Sequence, residues 1–290
     1  MIYLRSINFP NANKEADFTW RISHTCYDSF YPFKVLSAKG LERLDFEPVT
    51  ILYGGNGSGK STALNVIAEK QQIKRDAIFN KSPFYADYVE MCKIETESEI
   101  PENSRIITSD DVFDYLLNLR SLNDGIDLRR EEVFFDYLNR TVPEWGKKAH
   151  LQMKSLEDYD EIKKMVNARR KTQSRYTRDN LMDNARTFSN GESAFMYFTE
   201  KIGEKGLYIL DEPENSLSPK LQMELARFIE DSARFFECQI IMSTHSPFLL
   251  ALKGAKIYDL DKNPTTVKPW TELEHIRLYH EFFKENAGEF

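Results

Sequence analysis

The chain has 290 residues, 41% hydrophobic and 13% aromatic: enough apolar material for a core with one inserted lobe, too much for a disordered chain. A formal net charge of −7 argues against non-specific coating of nucleic acid, which needs positive potential, though a local basic patch stays compatible with it. No run of about 18 apolar residues is available to span a membrane, and three scattered cysteines (Cys26, Cys92, Cys238) make no disulfide framework.

Residues 1–10 read as a short strand and not as a signal peptide. With the cysteine usage, this predicts a reducing, cytoplasmic location. Residues 1–50 read mostly as strands and loops. Within them His24 and Cys26 are the nearest metal-like pair, but no second ligand pair follows at zinc spacing. Val49-Thr50-Ile51-Leu52-Tyr53 is a short β-rich apolar run and predicts a buried strand. The glycine-rich segment after it leads into a predicted helix over 61–72, with Ala63, Leu64, Ile67 and Ala68 on one face.

That segment, Gly54-Gly55-Asn56-Gly57-Ser58-Gly59-Lys60-Ser61, matches the phosphate-loop pattern G-x-x-x-x-G-K-[ST] in full. It stands where the chemistry requires, between a strand and a helix. Glycines let the backbone curl so that successive N–H groups face inward. The helix N-terminus adds positive potential for phosphate. Gly54 to Thr62 are therefore the predicted nucleotide contacts: Gly54, Gly55, Asn56, Gly57, Ser58, Gly59, Lys60, Ser61 and Thr62. Lys60 is expected at the β- and γ-phosphates of ATP, and the Ser61 hydroxyl on Mg²⁺.

Residues 105–108 are a second strand candidate, with Asp110 as the candidate cap of the helix after it. From 111 to about 187 the pattern turns helical. Val112, Phe113, Leu116, Leu117 and Leu119 recur at helical spacing, as do Val133, Phe134, Tyr137 and Leu138. A basic stretch within this insertion holds Lys163, Lys164, Arg169, Arg170, Lys171, Arg175 and Arg178. It reads either as a solvated helix face or as a patch for nucleic acid or another anionic partner. Strand signals return at 206–210, 239–243 and 256–260, with a helix over 218–236 between the first two. Strands alternating with helices predict a mostly parallel sheet, hence an α/β fold with an inserted helical lobe. The expected organisation is a discontinuous core, 1–110 with 188–290, and a lobe over 111–187. An amphipathic helix closes the chain, with Leu273, Ile276, Tyr279, Phe282 and Phe283 as its apolar face, expected to pack on the core.

Leu207-Tyr208-Ile209-Leu210-Asp211-Glu212 is an apolar strand that ends in two acids, and such ends face the ligand crevice of an α/β sheet. Asp211 is the candidate Mg²⁺ carboxylate and Glu212 the candidate general base. Here the sequence resembles the ABC ATPase superfamily. Asp211-Glu212-Pro213 is similar to its Walker B ending. Phe188-Ser189-Asn190-Gly191-Glu192-Ser193 is similar to its signature, and Ser243-Thr244-His245-Ser246-Pro247 to its H-loop, in the family's order.

The resemblance implies an ABC-type P-loop fold and ATP hydrolysis with Mg²⁺ by two domains paired head to tail. Ser189 and Gly191 would act in trans on the partner's nucleotide, and His245 would contact the γ-phosphate and orient Glu212. Departures are Asn190 for a glycine, Phe188 for a leucine, and Ser218 where transporter subunits have an Asp. Asp211 to Pro219 is nearer to D-E-P-E-x-x-L-H-P of stand-alone ATPases related to SMC and OLD-type proteins. The family's Q-loop glutamine has no clear match, and Ser109 or Asp110 stands where it is expected. Tyr31 and Phe33 are the candidates for stacking on adenine.

The expectation is a soluble, stand-alone ATPase that dimerises with ATP, with nucleic acid or a nuclease or toxin as its candidate partner. A transporter's nucleotide-binding subunit and an ATP-binding switch without turnover are the alternatives. Glu212 argues against the switch, since pseudo-ATPases often lose that acid.

Overall fold

The computed structural model describes residues 1–22, 27, 29–141 and 189–289. His24, Cys26, Phe188 and the basic stretch from Lys163 to Arg178 lie outside them.

Two sheets form the core. In the first, β1 (Leu4–Asn8) lies between β2 (Arg43–Asp45) and β4 (Lys93–Thr96), all antiparallel. The second has six strands in the order β5 (Arg105–Thr108), β6 (Leu207–Asp211), β7 (Gln239–Ser243), β3 (Val49–Tyr53), β8 (Lys256–Asp259) and β9 (Thr266–Val267). The first five run parallel, and only β9 is antiparallel. β3 and β7 are buried along their whole length, as expected for parallel strands covered on both faces.

The helices, in chain order, are α1 (Ala12–Arg21), α2 (Lys60–Lys70), α3 (Tyr85–Met91), α4 (Ser109–Thr141), α5 (Asn190–Lys201), α6 (Pro219–Phe235), α7 (Pro247–Leu250) and α8 (Glu274–Glu285). Ala63, Leu64, Val66 and Ile67 of α2 share one core with Leu4, Ile7 and Leu44 of the small sheet and Leu52, Ile209 and Ile241 of the large one. Buried Gln239 joins the two sheets. Its side-chain oxygen accepts from the Tyr3 and Leu4 N–H groups at 2.9 and 2.8 Å, and its amide donates to the Leu4 carbonyl at 2.8 Å. A buried amide satisfied in this way fixes how β1 meets β7.

By contacts the chain divides into Met1–Phe113 with Ser189–Phe290, and Asp114–Phe188. Of the second unit the structure describes the rest of α4, where Arg130–Asp127 and Arg129–Glu132 pair along the helix surface.

Three local features differ from the sequence reading. Residues 12–21 are helical, with the Asn11 side chain accepting from the Lys14 N–H as N-cap. Its buried residue is Glu15, so no apolar face marks it. At the start of α4 the reciprocal cap joins Thr108 and Asp111, not Asp110: the Asp111 carboxylate takes the Thr108 N–H at 2.6 Å, and the Thr108 hydroxyl takes the Asp111 N–H. At α8, Leu273 just before the helix and Ile276 within it are buried, but Tyr279, Phe282 and Phe283 are exposed. The helix leaves the core after its first turns.

Candidate functional site

The carboxyl ends of β6, β7 and β3 lie side by side, with Asp211 in register with Ser243 and Ser243 with Leu52. The loops that follow these strands therefore meet, as ligand loops do in open α/β sheets. β5 adds Thr108 beside Asp211, which places Ser109 and Asp110 at the same edge.

The loop after β3 turns through Gly57 (φ 76°) and Gly59 (φ 96°), conformations that side chains disfavour. A Cβ on Gly59 would lie 3.0 Å from Leu36 Cδ2. Lys60 folds back over the loop, its Nζ donating to the Gly54 carbonyl at 2.6 Å and the Gly55 carbonyl at 3.2 Å. Burial pushes the Lys60 ammonium below the ordinary lysine value, and the carboxylates of Glu212 and Asp211 oppose that shift. Ser58 Oγ is buried with no hydrogen-bond partner among the described residues. The Thr62 hydroxyl meets Tyr31 Oη at 3.1 Å. Asn56 and Gly57 are exposed.

Across from this loop, Asp211 Oδ1 accepts from Ser61 Oγ at 3.1 Å and Ser243 Oγ at 2.5 Å. Burial raises the Asp211 carboxyl, while those two hydroxyls pull it down. Glu212 sits in the left-handed region (φ 49°, ψ 57°), its N–H held by the Ser243 carbonyl and hydroxyl at 3.1 and 3.0 Å. That conformation is costly for a residue with a Cβ and persists because its surroundings fix it. Glu212 Oε1 lies 3.9 Å from Lys60 Nζ and 3.6 Å from His245 Nε2, and Oε2 accepts from Asn215 at 3.1 Å. His245 Nε2 is buried and has no hydrogen bond among the described residues. Burial and Lys60 hold the His245 imidazole below its usual value, against the pull of Glu212.

Lys60, Ser61, Asp211, Glu212 and His245 thus come together. Ser189 and Gly191 do not join them. Ser189 caps α5 in a reciprocal box with Glu192, whose carboxylate takes the Ser189 hydroxyl at 2.8 Å and its N–H at 3.0 Å. Gly191 faces Leu221 Cδ1 and the Ser216 carbonyl, 3.0 and 3.2 Å from where a Cβ would be. Phe33 is core, stacked on Phe18 at 4.8 Å and edge-on to Tyr88 at 5.0 Å, which leaves it no face for adenine.

Four residues that the sequence did not single out belong to this region. Ser243 holds Asp211 and Glu212. Asp261, just past β8, accepts the Gly55 N–H on both oxygens at 2.8 and 2.9 Å. Glu214 takes the His245 and Ser246 N–H groups. His275 stands 6.0 Å, ring to ring, from His245 and 5.6 Å from Tyr53. Asp261 follows a strand at the crevice side, a positional signal that could have found it. The other three contacts depend on tertiary pairing.

The donor set fits a hard divalent cation. A serine hydroxyl and a carboxylate converge at 3.1 Å beside the start of α2, the oxygen-only chemistry that Mg²⁺ takes. Among the described residues, no group of three or more His, Cys, Asp or Glu is placed to hold a metal ion.

A family model described as ABC transporter matches residues 43–215, more than half of the chain. A second matches 184–251; it is described as an AAA domain, with the AbiEii toxin of a type IV TA system as a candidate member. No curated protein matches. Among solved structures, a nucleotide-free ATP-binding cassette from an ABC transporter is 16% identical, with TM-score 0.42 over 91% of this chain and 89% of that one. A dimeric ATP-binding cassette bound to ADP and Pi in a post-hydrolysis state is 13% identical, with TM-score 0.37 over 80% and 90%. The Smc head domain from Pyrococcus furiosus, solved with ScpA's C-terminal domain, is 12% identical, with TM-score 0.42 over 97% and 100%. Among the described residues, no helix is long and apolar enough to cross a membrane.

Proposed function

We propose, from the premise that this chain belongs to the ABC family of P-loop ATPases, that it binds ATP at Gly54–Thr62 and hydrolyses it. One observation carries the proposal: Lys60, Ser61, Asp211, Glu212 and His245 meet at the ends of three adjacent parallel strands.

Backbone N–H groups from Asn56 to Ser61, Ser58 apart, and the Lys60 ammonium would bind the β- and γ-phosphates. To do so, Lys60 exchanges the Gly54 and Gly55 carbonyls for phosphate oxygens. Mg²⁺, held by Ser61 and Asp211, would neutralise charge on the β- and γ-phosphate oxygens. Glu212 accepts a proton from the attacking water. His245 Nε2, free of any other hydrogen bond among the described residues and 3.6 Å from Glu212 Oε1, contacts the γ-phosphate and orients that acid.

The active species is a head-to-tail dimer. Ser189 and Gly191, outside the cluster within one chain, act on the partner's nucleotide, where the N-terminus of α5 favours an anion. Glu212→Gln is expected to slow phosphate release about 10²- to 10⁴-fold and to trap an ATP-bound dimer on size exclusion. Turnover at the wild-type rate would rule out Glu212 as the base.

We keep a transporter subunit as the second reading. Ser218, which stands where transporters have an Asp, is the N-cap of α6, accepting the Leu221 N–H. Asp caps a helix equally well, so this departure separates the readings little. The test is turnover by the isolated chain. A stand-alone ATPase reaches its full rate with itself, or with a nucleic acid, nuclease or toxin partner. A subunit needs a membrane protein to couple.

A further inference from the structure

The ring of His245 can serve the γ-phosphate only if its loop is held, and that loop has no strand or long helix of its own. β7 ends at Ser243, and α7 is four residues long. What fixes its backbone is a side chain from the other strand end. Glu214 Oε1, in the 3₁₀ turn after Glu212, accepts the His245 N–H at 2.5 Å and the Ser246 N–H at 3.2 Å. A second link supports the first. Ser246 Oγ donates to Gln222 Oε1 at 2.7 Å, and Gln222 Nε2 donates to the Leu217 carbonyl at 2.8 Å. Both links start in the stretch after the two acids and end on the histidine loop.

We propose that Glu214 is the positioning residue of His245: one carboxylate oxygen grips two consecutive N–H groups and so sets the ring 3.6 Å from Glu212. Glu214 itself touches no substrate. Its requirements are an acceptor and the reach of a glutamate side chain from the turn. The Ser246 N–H also reaches Thr244 Oγ1 at 3.0 Å, so removing the acceptor leaves the His245 N–H to find another partner, and the loop shifts to find it. A displacement of about 1 Å at a catalytic group is enough to cost about 10²-fold in rate. The inference rests on the reading that His245 acts on the nucleotide.

The experiment is a kinetic double-mutant cycle on the full chain, with kcat and KM for ATP read from phosphate release. Glu214→Asp keeps the charge but shortens the reach by one carbon. It is expected to lower kcat about 10-fold or more with KM changed less than about 2-fold. Glu214→Gln restores an acceptor at full reach and is expected to turn over about 10-fold faster than Glu214→Asp. In a His245→Ala background, Glu214→Asp is expected to add less than about a 2-fold loss, since the ring it positions is gone. Should Glu214→Asp fail to fold, Glu214→Met replaces it, with equal length and no acceptor, and the same outcomes apply.

Wild-type kcat in Glu214→Asp, or the same loss with and without His245, overturns the positioning role alone. Unchanged kcat in His245→Ala overturns the reading of the site, and the positioning role with it.

Discussion

The phosphate loop and the acidic edge opposite it face one another, yet they reach their geometry by different routes. Asp261 on the Gly55 N–H and Asp211 on Ser61 apart, the loop is held by its own neighbours. Lys60 returns to Gly54 and Gly55, the Ser58 N–H to the Gly55 carbonyl, and two glycines make the turn. The acidic edge is held by partners remote in sequence. Ser243 takes Asp211 and Glu212, and Glu214 takes the His245 loop, across 31 or 32 residues. A local device tolerates change elsewhere in the chain, whereas the acidic edge fails if the register of β6 against β7 slips.

Perturbing each side tests that contrast. Lys60→Ala removes the one buried cation at the loop and is expected to cost about 10²–10³ in turnover and to weaken nucleotide binding; equal rate and affinity would break the assignment. Ser243→Ala leaves the loop intact but removes the hydroxyl shared by the Asp211 carboxylate and the Glu212 N–H, and about a 10- to 100-fold loss in kcat is expected. A loss below 2-fold would show that strand pairing alone places them.

Gly59→Ala strains a local turn at φ 96° and drives a Cβ against Leu36. Denaturant unfolding is expected to report about 1–3 kcal/mol of lost stability. No loss would mean that the turn relaxes.

The smallest effect concerns Glu15, a buried acid behind the loop. Glu15 Oε2 accepts the Lys34 N–H at 2.6 Å and the Ser37 hydroxyl at 2.7 Å, so it anchors the segment whose Val35 and Leu36 abut Gly59. Burial raises its carboxyl above the ordinary value. Such a group holds its proton more tightly when folded, so below the ordinary range it costs nothing. As pH rises from that range through the raised value, the fold loses stability. Glu15→Gln removes that dependence, so the melting temperature of the wild type should fall relative to the variant over this window. A constant difference would show that the charged form is satisfied where it sits.

The same contrast explains what the sequence made legible. The phosphate loop, the strand into Asp211 and Glu212, and His245 are short patterns whose chemistry lies within a few residues, and strands β3, β5 and β7 announced themselves as apolar runs. Helix α1 did not, because its buried residue is an acid. Glu214 stood in plain view beside Pro213, but only the pairing of β6 with β7 brings it to the His245 loop. Tyr279, Phe282 and Phe283 matched the period of a packing face, and periodicity alone does not say where a helix parts from the core.

The left-handed backbone at Glu212 carries a consequence for stability. Glycine would occupy that position without conformational penalty, and asparagine with little. Glu212→Gly is therefore expected to melt no lower than the wild type even where it loses the proposed base. On the proposed role of Glu212, backbone comfort and turnover pull in opposite directions at this one position.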